Sequence, residues 1–160
     1  MSYMPPHNPP GGAAVGRLSD LPLLEAKAIC YLRLWCAGPE AQAEVWNAFA
    51  AHGPDAAQER MRDFEELVSS MIRMARRPLQ RRHLGCACVS GDESAFGHMI
   101  AAAAIGERED AMLLASLLVR PEAWMPLVIL AEQVGLSLAR MHLPMPASVR
   151  STHPQTLRKH

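Results

Sequence analysis

His83, Cys86 and Cys88 fall in one short stretch, His83-Leu84-Gly85-Cys86-Ala87-Cys88. Imidazole and thiolate are the usual donors to zinc and to other borderline or soft metals, so iron or copper would find the same ligands there. Gly85 permits backbone angles that would let the three groups face a single point. A closed zinc site needs a fourth ligand, and Cys36 is the first choice, with His98 and Asp92 after it. The expected set is therefore Cys36, His83, Cys86 and Cys88, holding a structural metal that staples a linker to the rest of the chain.

The same residues support two other chemistries. The cations of Arg81, Arg82 and His83 favour reactive thiolate nearby, which is what a redox sensor requires. A disulfide inside Cys-x-Cys closes a strained ring, so an oxidised partner would be Cys36. Free cysteines also pack as small hydrophobes, and Cys30, between Ile29 and Tyr31 on an apolar stretch, reads as core.

A second feature is charge. Arg73, Arg76, Arg77, Arg81 and Arg82 occur with no acidic residue between Arg73 and Val89. Such a patch suits phosphate, nucleic acid or an acidic protein surface. No aromatic residues interleave with the arginines as stacking platforms would require. The plainer reading is a solvated helix end whose cations complement the helix dipole. Phosphate-binding glycine loops, H-E-x-x-H and G-x-S-x-G are all missing from the chain, so no reaction is assigned.

These residues must be positioned by helices. Ser19-Asp20, Pro22 and Gly38 punctuate a first helix over residues 21–36 that is apolar nearly all round and belongs at the centre of a bundle. Pro39 opens a second, with Val45, Trp46 and Phe49 on one side, closed by Gly53-Pro54. A third, over residues 55–77, carries Ala57, Met61, Phe64, Val68, Met71 and Ala75 at steps of four and three, which makes one apolar seam. Pro78 stops it, and a linker spans residues 78–91. Ser90 and Glu93 then form a capping box for a fourth helix with Phe96, Met99, Ile100, Ala103 and Ala104 inward. A fifth helix, over residues 107–119, should turn Leu113, Leu114, Leu117 and Leu118 to the core. Pro121 begins a sixth, along which Trp124, Leu127, Val128, Ala131, Val134, Leu138 and Met141 keep the same spacing. No strand is expected.

The fold class is thus all-α: an irregular bundle of five to six helices in one domain over residues 18–141. Residues 1–17 are rich in Pro and Gly, and residues 142–160 are basic and Pro-containing, so both read as disordered tails. Apolar residues make up 49% of the 160, enough for a core that folds without disulfides. Sixteen basic and sixteen acidic side chains cancel, so net charge selects no partner. The N-terminus lacks the basic start and apolar run of a secretory signal, and the apolar stretches are too short to span a bilayer, which predicts a cytoplasmic protein with no membrane partner. The expected function is that of a small regulatory or accessory protein working through protein–protein contact, with the Cys/His site as a structural or redox element. A nucleic-acid-binding regulator using the arginine patch is the alternative, and an enzyme is third.

Overall fold

The computed structural model describes residues 9–141. The tail expected over 142–160, and the first eight residues of the one expected over 1–17, lie outside the described residues.

Helix α1 (Leu23–Cys36) occupies the centre, as its composition requires: every residue from Glu25 to Leu34 is buried. One side faces the main core through Ala28, Tyr31, Leu32 and Leu34. The other covers a smaller cluster in which Ile29 and Cys30 meet Leu18 and Val89. Helices α2 (Pro39–Ala50) and α3 (Pro54–Arg73) follow as an antiparallel-style hairpin punctuated by Gly53, whose φ of 122° suits a residue without Cβ. Rings join these three helices: Phe49 lies 6.0 Å from Tyr31 and 5.9 Å from Phe64, and Trp35 lies 6.1 Å from Phe64. The two contacts of Phe64 are edge-on and that of Tyr31 with Phe49 is tilted, and such pairs add to the burial of the rings themselves. The expected seam on α3 is realised, with Ala57, Met61, Phe64, Val68 and Met71 all in the core. The helix is shorter than the pattern implied. It ends at Arg73, and Ala75 instead forms an isolated antiparallel bridge with Val119.

Helix α4 (Gly91–Ala104) begins on the expected capping box. The Ser90 hydroxyl accepts the Glu93 N–H, and the Glu93 carboxylate accepts the Ser90 N–H. Helices α5 (Arg108–Leu118) and α6 (Trp124–Met141) complete the bundle, with a 3-10 turn at Pro121–Ala123 before α6. A Cβ on Gly135 of α6 would lie 2.8 Å from both the Ala104 Cβ and the Ile100 carbonyl oxygen, so its glycine lets α4 and α6 approach closely.

Three expectations need correction. Residues 14–17 do not belong to a loose tail: β1 (Ala14–Arg17) pairs antiparallel with β2 (Cys88–Ser90), Gly16 opposite Val89 and Arg17 opposite Cys88. Val89 of β2, together with Leu18, packs on the second apolar side of α1. The Ser19-Asp20 pair does not cap α1 but sits in a 3-10 turn, Leu18–Asp20, and Pro22 takes the cap position. Finally, α5 turns only two of its four leucines, Leu114 and Leu118, toward the core. Ala111, Ala115 and Leu118 are buried, whereas Leu113 and Leu117 are 66% and 51% exposed. Ala111 and Ala115 take the inward positions expected of Leu113 and Leu117, and their small side chains let α5 lie close against α4.

Candidate functional site

The linker between α3 and α4 is built around Arg33 of α1. This guanidinium is fully buried, and its Nε and one terminal nitrogen donate to the Glu93 carboxylate at 2.6 and 3.0 Å. Its other donors reach the carbonyl oxygens of Cys86 at 2.7 Å and Cys88 at 2.8 Å. Arg33 thus uses its planar fork to tie the central helix to the start of α4 and to the Cys-x-Cys backbone at once. At Cys86 and Cys88 the atoms that Arg33 binds are main-chain oxygens.

A second layer surrounds this pair. Asp92 accepts from both terminal nitrogens of Arg77, at 2.8 and 3.0 Å, and from the Gln80 N–H at 2.8 Å. That bonding holds the Arg77 guanidinium more firmly protonated than usual. The Ser90 hydroxyl donates to the Gln80 carbonyl at 2.6 Å. The N-terminal segment joins from the other side, where the Gly11 carbonyl accepts the Asp92 N–H and the Ala13 carbonyl accepts the Gly91 N–H. Residues 90–93 are therefore a junction of three chain segments distant in sequence.

The basic patch is drawn into the same framework. Arg81 donates to the Cys36 carbonyl, Arg82 to the Gly12 carbonyl and Arg76 to the Ser116 carbonyl. Arg77 is paired with Asp92, and the exposed Arg73 lies 3.6 Å from Glu66. Each of the five expected patch residues, Arg73, Arg76, Arg77, Arg81 and Arg82, has an intramolecular partner.

Among the described residues, no group of three or more His, Cys, Asp or Glu side chains is gathered where it would hold a metal ion. The set expected from sequence, Cys36, His83, Cys86 and Cys88, thus receives no support as a zinc, iron or copper site. His83 is exposed and the three cysteines are half-buried free thiols. Burial pushes the Cys36 thiol up, with Arg81 pulling it partly back. Burial pushes the Cys30 thiol to about 12, as its core placement demands.

A different surface stands out on the opposite end of α4. An open groove of about 770 Å³ runs between α1, α4 and α5. Its floor comes from Leu24, Ala101 and Ala102, and its walls from Ile105, Leu113 and Leu114. Ile105 is 72% exposed, and Leu117 continues the line one turn beyond Leu113. Three carboxylates, Glu25, Glu107 and Asp110, sit among these apolar groups. His98 faces them, with its Nδ1 3.9 Å from Glu25. Arg108 leans away to Glu132.

No family model, no curated protein and no solved structure matches the chain. The surface must therefore be read from its own chemistry. It combines exposed aliphatic residues with carboxylates and an imidazole. Sequence reasoning missed it by assigning Leu113 and Leu117 to the core. The available signal was the neighbouring Ala111 and Ala115, which sit at the same four-residue spacing and compete for the inward face.

Proposed function

We propose that this protein is a small interaction module of the regulatory or accessory kind, acting through protein–protein contact at the groove between α1, α4 and α5. One observation carries the reading: Ile105 and Leu113 stand exposed around an open apolar cleft, where burial by a partner would release about 25 cal/mol for each Å² of apolar surface removed from water. A cytoplasmic setting fits this reading, since all four cysteines are free thiols. Among the described residues no helix is long and apolar enough to cross a membrane. The nucleic-acid alternative is weaker, because the arginines it would use already bond to carbonyl oxygens and carboxylates of their own chain.

The test compares the wild type with Leu113→Glu as baits on extract from the native host. A protein held by the wild type, lost with the variant, and bound again when both components are pure is the expected result. Equal retention by both baits, with both folded by circular dichroism, would remove the groove from consideration.

A further inference from the structure

We propose that the occupant of this groove is a cationic amphipathic helix of a partner protein, which lays an apolar face on the leucines and sets Lys or Arg side chains against Glu25, Glu107 and Asp110. The inference rests on the interaction-module reading above and adds the chemistry of the partner.

Shape comes first. On α4 the lining residues His98, Ala101, Ala102 and Ile105 follow steps of three, one and three, so they form one stripe facing the groove. On α5 the residues Glu107, Asp110, Leu113 and Leu114 form a second stripe, extended by Leu117. At 1.5 Å per residue the stripes run for about 10 and 15 Å, or two to three turns of a partner helix. Alanines on the floor leave room for large apolar side chains from that helix. Leucines on the wall offer the matching surface. Amphipathic helices are held in grooves of this form through anchors at i, i+3, i+4 and i+7.

Charge then selects among amphipathic helices. Glu107 and Asp110 are exposed at the start of α5, where the helix dipole favours carboxylates. Glu25 adds a third carboxylate from α1, and the lining residues include no Lys or Arg. With Arg108 engaged on Glu132, the groove presents net negative charge beside an apolar floor. A cationic helix gains on both counts, whereas an acidic one is repelled at the rim.

The full-length chain is titrated with labelled synthetic helical peptides of about 18 residues, each carrying leucines at i, i+3, i+4 and i+7. One series has lysines flanking the leucines, and the other has glutamates at the same positions. The lysine peptide should bind, and the glutamate peptide should bind at least about tenfold more weakly. The double change Glu107→Lys with Asp110→Lys should reverse that order. Leu113→Glu, and Ile105→Glu as a second exposed variant, should each weaken the lysine peptide by about thirtyfold.

Equal binding of both peptides, lost in Leu113→Glu, would overturn the cationic assignment and leave the interaction-module reading standing. Binding untouched by Leu113→Glu and Ile105→Glu would overturn both. Sedimentation that reveals a dimer dissociated by Leu113→Glu would make a second copy of the chain the occupant and overturn the proposal. Failure of every peptide to bind would overturn it too.

Discussion

At the scale of the residue, the decisive side chain is Arg33. Its guanidinium and the Glu93 carboxylate are both inaccessible to solvent, so removing one leaves an uncompensated charge in the interior. Arg33→Met should cost about 3–5 kcal/mol in denaturant unfolding, and the double variant with Glu93→Leu should recover a large part of that loss. Chelators should leave the melting temperature unchanged, because the Cys86–Cys88 backbone is held by the guanidinium. A drop in melting temperature with chelator, alongside a tolerant Arg33→Met, would return the linker to a metal. The sequence offered Arg33 as a charged residue on an apolar helix and Glu93 as half of a capping box. Nothing local joined them, since 60 positions separate the two. The thiols and imidazole drew attention through their chemistry, while the bonds that order their loop run through carbonyl groups that every residue possesses.

At the scale of the element, local patterns were legible and orientation was less so. The α3 seam and the Ser90–Glu93 cap follow from spacing within a few residues, and both are present. Helix α5 was legible as a helix, but its inward face was not. Hydrophobicity alone ranks leucine above alanine for burial, whereas close approach of two helices favours the smaller side chain. The α4–α6 contact makes the same point through Gly135, which is buried with Ala104 and Ile100 against it. Gly135→Val should therefore force the helices apart and cost about 1–3 kcal/mol in thermal or denaturant unfolding, despite the better helix propensity of the new residue. Unchanged stability would mean that α6 shifts freely along α4.

At the scale of the whole molecule, the N-terminal segment belongs to the folded body. Deleting residues 1–17 removes β1, its pairing with β2, and the Gly11 and Ala13 carbonyls that accept from Asp92 and Gly91. With each lost hydrogen bond worth about 1 kcal/mol, the melting temperature should fall by about 5–10 °C in a calorimetric scan. A fall within error would show that β1 adds nothing to the bundle. Sequence composition pointed to a loose tail because the strand's partner, Cys88–Ser90, lies at the far end of the linker and pairing of this kind leaves no periodic trace. The Ser90–Glu93 junction also bears on the order of events during folding. Its partners arrive from α1, from the linker and from the N-terminus, so the ring of bonds closes only when all three have docked. Desolvating Arg33 and Glu93 before that moment is unfavourable, so the pair is expected to form after the rate-limiting barrier, with a φ-value near zero for Arg33→Met. The junction then acts as a latch on the finished structure: damage to it speeds unfolding and leaves the rate of folding almost as it was.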